Sequence, residues 1–130
     1  MTKIINFLKS IFFISVLFLI LLSLFPGSLI GFIFYGDLGR QPYLIKNPFG
    51  TSINHFITYF YISILGFGVY LRSKNFQNLV YGLLLLAITL EVLQFIVPNR
   101  AFEFYDLIFN FLGVLVAYFL VNIYLFLKKP

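Results

Sequence analysis

Six polar side chains of this chain lie in or beside its longest apolar runs, where a polar group is costly. They are His55, Glu91, Gln94, Arg100, Asp106 and Asn110. A charged side chain at the centre of a membrane helix costs about 2.5 to 3.5 kcal/mol to insert, even on lenient scales, so it is expected to face protein or water. Carboxylate, imidazole and guanidinium groups together could exchange protons and bind a phosphate or carboxylate. These six residues are therefore the candidates for a site.

Helical spacing predicts which of these side chains share a face. Glu91 and Gln94 are three residues apart, and Asp106 and Asn110 are four apart, with Gly113 continuing the second stripe. Residues at these spacings lie one above the other on an α-helix. Small residues on the same stripe let membrane helices approach closely. We therefore expect polar groups of different helices to meet.

Most of these residues also have a purely structural interpretation. Asp106 near a helix start is favoured by the helix dipole, His55 at a membrane boundary could be a solvated edge residue, and Asn110, like Gln94, could join helices by a hydrogen bond. Glu91 is the exception because it lies inside an apolar run. Its expected partners are His55 and Arg100.

The composition predicts a membrane protein. The 130 residues are 62% hydrophobic and 10% charged, with a mean hydropathy of +1.02. So much apolar surface cannot be buried in one small water-soluble core. The chain has no Cys, which excludes disulfides and thiolate metal sites. The net charge of +5 comes from scattered residues that form no patch for nucleic acid.

The elements that must position the six residues are four runs long enough to cross a bilayer, where about 20 helical residues span about 30 Å. They are Ile4 to Phe25, Ile53 to Leu71, Phe76 to Val97 and Phe104 to Leu127. A shorter run, Leu29 to Tyr35, predicts an interfacial or partly re-entrant segment. The first run also resembles a secretory signal peptide, but it is longer than a usual signal core and no clean cleavage site follows. We favour an uncleaved helix, and thus an all-α bundle of four transmembrane helices in a single domain, residues 1–130.

The distribution of Lys and Arg predicts the orientation. One side carries six basic residues and the other carries three, which are Arg40, Lys46 and Arg100. Positive residues accumulate in cytoplasmic loops. Both termini are therefore expected in the cytoplasm of a multi-pass cell-membrane protein. The polar residues then lie near the outer face, where we expect one cluster with Glu103 outside it.

The residues "HFITYF" followed by "EVLQFIVPNRAFEFYDLIFNFLG" resemble the VanZ-like proteins, named for an accessory membrane protein of teicoplanin resistance. The matching positions span residues 51–118 and are His55, Phe56, Glu91, Gln94, Pro98, Arg100, Asp106, Asn110 and Gly113. Family members commonly carry an Asp four residues before the His, where this chain has Thr51. Another residue, such as Asp37, would have to replace it, and a metal site is accordingly not expected.

The resemblance implies a role in the cell envelope, possible glycopeptide resistance and no cofactor, with a membrane lipid or lipid-linked envelope precursor as the expected partner. One hypothesis is an enzyme in which Glu91, His55 and Asp106 are catalytic. Substrate would then be bound by Gln94, Arg100 and Asn110. The alternative is a non-catalytic scaffold or partner-binding protein in which the same groups form a structural network. A transporter is a weaker third hypothesis, because four helices without a broken pair suit alternating access poorly.

Overall fold

The computed structural model describes residues 2–128 and contains five α-helices and one 3₁₀ turn in that range. The helices are α1 (Thr2–Leu24), α2 (Leu29–Tyr35), α3 (Ser52–Tyr70), α4 (Phe76–Leu93) and α5 (Phe104–Leu127), and the 3₁₀ turn Gln94–Ile96 extends α4. The residues described form no strand. The predicted all-α fold is confirmed, and each predicted span coincides with a helix within a few residues.

Four of the helices are long and apolar enough to cross a membrane, namely α1, α3, α5 and α4 with its 3₁₀ extension. Large apolar side chains such as Phe7, Leu85 and Phe119 are exposed along their outer surfaces. Such surfaces are stable in hydrocarbon and unfavourable in water. The chain is therefore a multi-pass membrane protein by its structure. Its orientation, the retention of α1 in the mature protein and the single-domain organisation stay predictions.

Helices α3 and α5 form the most extensive helix pair and run in the same direction. His55 and Asp106 meet near the start of both helices, and the rings of Phe67 and Tyr118 lie 6.4 Å apart further along. Gly113 brings the two backbones together, since a Cβ atom there would lie 2.6 Å from the carbonyl oxygen of Phe56. Close backbone contact fixes the register of the two polar stripes.

Helix α1 packs against α3 in the opposite direction. The contact is tight at the cytoplasm-proximal end of the predicted topology, where a Cβ atom on Gly66 would lie 2.6 Å from the ring of Phe12. The buried residues of α1 are Phe12 and Leu19. Toward the other end, α1 contributes backbone carbonyl groups to the site described below.

The short run that was predicted to be interfacial or re-entrant forms the seven-residue helix α2. Ser28 caps its start by accepting a hydrogen bond from the Gly31 amide, and Gly36 ends it in the left-handed conformation, with φ of 68°. The following turn returns to the start of the helix, where the Ser28 amide donates to the Leu38 carbonyl oxygen. With Ile33 and Phe34 exposed, α2 presents an apolar surface while being too short to span a bilayer.

Candidate functional site

Four side chains from α3 and α5 form a closed polar network. His55 Nε2 lies 3.1 Å from Asp106 Oδ2, and His55 Nδ1 lies 3.1 Å from Asn110 Oδ1. The Ser52 hydroxyl donates to the other oxygen of the Asp106 carboxylate at 2.5 Å. Asp106, Asn110 and Ser52 are buried, while His55 is partly exposed. The network therefore joins α3 to α5.

Hydrogen bonding in this network restricts what the imidazole can do. An ionised carboxylate only accepts, so His55 Nε2 must carry a proton in its contact with Asp106. The other ring nitrogen faces the amide oxygen of Asn110, which is also an acceptor. Both ring nitrogens are therefore engaged, one by Asp106 and the other by the Asn110 amide, and neither is left free to act as a base.

Glu91 is 1% exposed and lies behind this network. Its Oε1 atom accepts a hydrogen bond of 3.0 Å from the backbone amide of Glu103. Within residues 2–128, the expected ion pairs of Glu91 with His55 and Arg100 are not formed, since His55 pairs with Asp106 instead. The sequence prediction of these two partners was wrong. A backbone amide binds one oxygen of the carboxylate, and this contact holds the turn between α4 and α5 in place.

Arg100 fastens the same turn to the end of α1. Its Nη2 atom donates to the carbonyl oxygen of Leu22 at 2.8 Å, and its Nε atom donates to that of Phe25 at 3.2 Å. These carbonyl groups are free because the last four in a helix lack intrahelical partners. Burial lowers the pKa of Arg100, whereas the negative charges of Glu91 and Asp106 act in the opposite direction. The guanidinium remains a cation at the boundary of the bundle.

A groove with a volume of about 410 Å³ separates α1 from α3 beyond their tight contact. Its walls are mostly apolar and include Phe18, Leu22 and Ile62, and its polar end is formed by His55 and Arg100. The exposed side chains of Phe18 and Tyr61 lie at its edge. The groove is therefore open on the lipid-facing side of the bundle. Its volume falls in the range of about 300 to 1,000 Å³ that is typical of small-molecule sites.

A second cavity, of about 320 Å³, lies on the other side of Arg100 and is called the vestibule below. Polar side chains dominate its lining, among them Asn99, Glu103 and Asp106. The groove and the vestibule share four lining residues, which are Ser28, Gln41, Gln94 and Arg100. The apolar groove and the polar vestibule thus meet at the guanidinium of Arg100.

The structure brings all six candidate residues to the same end of the bundle. Some of them line the groove or the vestibule, and others are buried behind these cavities. Arg100 and Gln94 line both cavities, His55 lines the groove, and Asp106 lines the vestibule. Glu91 and Asn110 are not among the lining residues, because both are buried behind them. Gln94 also donates to the Ser23 carbonyl oxygen at 3.4 Å.

Three hydroxyl groups of α3 were not among the predicted site residues. Ser52 lies one helical turn before His55, a spacing that could have indicated its contact with Asp106. The hydroxyls of Tyr59 and Ser63 are buried without a hydrogen-bond partner in residues 2–128. Nothing in the sequence distinguishes these two from ordinary packing residues. Buried polar groups of α3 therefore continue beyond His55 toward the C-terminal end of the helix.

The position of the missing family Asp has no acidic substitute beside His55. Thr51 precedes α3 and makes no side-chain capping bond, and Asp37 accepts a hydrogen bond from Gly39 in its own turn. The suggestion that Asp37 replaces the family Asp is therefore not supported. Asp106 provides the carboxylate that contacts His55. Residues 2–128 contain no group of three His, Cys, Asp or Glu residues placed to hold a metal ion.

Comparison with known proteins identifies the family. No curated protein and no solved structure matches the chain. The family model described as VanZ/LLP1 matches residues 2–126, which extends the resemblance at residues 51–118 to nearly the whole chain. The match includes α1 and the turn at Arg100 as well as the network of α3 and α5. The chain therefore belongs to the VanZ/LLP1 family.

Proposed function

We propose that this protein binds a lipid or a lipid-linked envelope component at the outer face of the cell membrane, with both of its termini in the cytoplasm. The apolar part of the ligand occupies the groove between α1 and α3, and its phosphate or carboxylate lies at Arg100. The observation that carries this proposal is the position of one cation at the polar end of an apolar groove that opens toward the lipid.

The groove has the polarity of an amphipathic ligand. Apolar side chains such as Phe18, Leu19 and Ile62 line most of its length, with the hydroxyl groups of Ser15 and Thr58 between them, so a hydrocarbon chain gains apolar contacts there. The polar groups are concentrated at the end formed by Arg100, His55 and Gln94. A ligand that lies in the membrane can enter from the side without leaving the bilayer.

Arg100 has the donors that a phosphate needs. Two of its five N–H groups bind the carbonyl oxygens of Leu22 and Phe25, and within residues 2–128 its Nη1 atom has no acceptor. Because the carbonyl contacts fix the plane of the guanidinium, little side-chain entropy is lost when an anion binds. The amide oxygen of Gln94 also has no donor in the part of the chain that the structure describes. These groups form the polar end of the proposed site.

Binding without catalysis is favoured over an enzyme by the state of the network. His55 has both ring nitrogens occupied, and Glu91 lines neither cavity. General acid or base catalysis requires a group within hydrogen-bond reach of the substrate. His55, Asp106 and Asn110 are therefore assigned to holding α3 against α5 at the site. A scaffold without a ligand remains the alternative, favoured by the same closed network.

Membership of the VanZ/LLP1 family supports a role in the envelope. A protein that sequesters a lipid-linked precursor at the outer face would change how much of it is accessible to a glycopeptide. On this proposal, teicoplanin resistance follows from binding and not from chemical modification. The bound component itself would be recovered unaltered.

Lipid titration of the purified protein tests the proposal. After delipidation in detergent, the affinity for phosphatidylglycerol and for diacylglycerol with the same chains is measured by native mass spectrometry. Phosphatidylglycerol is expected to bind, and Arg100→Gln is expected to weaken it about tenfold or more, as for loss of a charged hydrogen bond. Arg72→Gln, an exposed Arg at the opposite end of α3, is the matched control. Equal binding by Arg100→Gln and the unaltered protein would contradict the proposal.

A further inference from the structure

The vestibule contains acidic side chains beyond Arg100, the residue of the proposed anion site. Passing from the groove into the vestibule, a ligand meets the Arg100 cation first and then the carboxylates of Glu103 and Asp106. Among the charged residues described in the vestibule lining, one is basic and two are acidic. A simple anion at Arg100 uses only the first part of this arrangement.

The two carboxylates differ in availability. Both oxygens of Asp106 are engaged, one by Ser52 and the other by His55. The Glu103 side chain is exposed and makes no hydrogen bond or ion pair within residues 2–128. Its backbone amide, by contrast, is fixed by Glu91. Glu103 is thus an anchored residue whose carboxylate is available for a cation.

We infer that the vestibule binds a primary ammonium group, and that the preferred ligand is a zwitterionic lipid of the phosphoethanolamine type. This inference rests on the proposed function, because the phosphate of that headgroup lies at Arg100. In that headgroup the ammonium lies beyond the phosphate, as Glu103 lies beyond Arg100 on the way from the groove into the vestibule. The phosphate therefore faces a cation and the ammonium faces a carboxylate.

The vestibule lining favours a primary ammonium over a quaternary one. A primary ammonium has N–H donors that need oxygen acceptors, and the lining supplies the Glu103 carboxylate with the amide side chains of Gln41 and Asn99. Quaternary ammonium groups are recognised by aromatic cages. The described residues of the vestibule lining include no Phe, Tyr or Trp. Phosphatidylcholine should therefore bind less tightly than phosphatidylethanolamine.

Competition among three phospholipids with identical acyl chains tests the inference. The unaltered protein is expected to bind phosphatidylethanolamine about fivefold more tightly than phosphatidylcholine or phosphatidylglycerol, the upper end of the effect of an exposed ion pair. Glu103→Gln should abolish this preference and leave the affinity for phosphatidylglycerol in place. Glu103→Lys should favour phosphatidylglycerol. Both variants keep the backbone contact with Glu91, and circular dichroism checks their fold.

Asp37→Asn is the matched control, because it removes the same charge at an exposed carboxylate that does not line the vestibule. It should retain the preference for phosphatidylethanolamine. Equal affinity for the three lipids, with binding still lost in Arg100→Gln, would overturn the ammonium inference and leave the proposed function standing. Binding that survives Arg100→Gln would overturn the proposed function and, with it, this inference.

Discussion

Gly113 of α5 lies directly against the backbone of Phe56 in α3. A Cβ atom on Gly113 would be 2.6 Å from the Phe56 carbonyl oxygen and 2.8 Å from the Phe60 nitrogen. Neither atom belongs to a flexible side chain that could move aside. The distance between α3 and α5, and with it the contact of His55 with Asp106, therefore depends on the absence of a side chain at this glycine.

Gly113→Ala is accordingly expected to separate α3 from α5. The added methyl group must displace backbone, which by analogy with overpacked cores costs about 1 to 3 kcal/mol. The controls are Gly82→Ala and Gly68→Ala, where no atom lies within 4 Å of the added Cβ. These two should match or slightly exceed the stability of the unaltered protein. Thermal unfolding in detergent measures all three, and a Gly113→Ala midpoint equal to the controls would refute the close contact.

The sequence was sufficient for the fold and for the faces of the helices, because both follow from local spacing. The four spans follow from the length of apolar runs, and the shared face of Asp106 and Asn110 follows from helical periodicity. Periodicity does not show which helix a face meets. His55 was therefore assigned to Glu91 by proximity to the membrane boundary, although the structure pairs it with Asp106.

Glu91→Gln is predicted to keep the stability and the lipid affinity of the unaltered protein. Gln retains an oxygen that can accept the Glu103 amide, and removing a buried charge is often neutral or stabilising. Glu91→Ala leaves that amide without a partner and should cost about 1 to 3 kcal/mol. Unfolding midpoints distinguish the two variants. If the Gln variant is well folded but no longer binds lipid or confers glycopeptide tolerance, the Glu91 charge belongs to the working site.

The contacts made by backbone groups could not be predicted. Arg100 binds the carbonyl groups of Leu22 and Phe25 at the end of α1, and Glu91 binds an amide of the turn near Arg100. Every residue except Pro offers the same backbone donor and acceptor, so the sequence carries no signal for such partners. Glu103 was expected outside the cluster as a solvated loop residue. Its side chain is exposed, but its amide is a central contact.

Cysteine labelling tests the orientation in this Cys-free chain. Ala101→Cys, in the exposed turn before α5, is expected to react with an impermeant reagent in intact cells, and Ser73→Cys is expected to react only after lysis. The physical reason is the excess of Lys and Arg on the Ser73 side. Ala101 is preferred to Asn99, whose φ of 58° disfavours most other residues. The reverse labelling pattern would invert the topology.

The pairing of His55 with Asp106 can be tested by a double-mutant cycle, because ionic and neutral contacts differ in their coupling free energy. Neutral hydrogen bonds between membrane helices average about 0.6 kcal/mol, whereas breaking a buried ion pair costs about 3 to 5 kcal/mol. His55 Nε2 faces the Asp106 carboxylate and Nδ1 faces the Asn110 amide, so a protonated ring makes the contact with Asp106 an ion pair. His55→Gln and Asp106→Asn, alone and together, should therefore show a coupling of about 2 kcal/mol or more.

The control for this cycle is the contact of His55 with Asn110, which carries no second charge. Asn110→Ala should cost about 0.6 to 2 kcal/mol, the range of an interhelical hydrogen bond in a membrane. Asp106→Asn keeps an oxygen that accepts the Ser52 hydroxyl, so its cost reports chiefly the lost charge. Unfolding in mixed micelles gives the four free energies of the cycle. A coupling below about 1 kcal/mol would indicate a neutral imidazole, with one ring nitrogen available as a base, and would restore His55 as a candidate for catalysis.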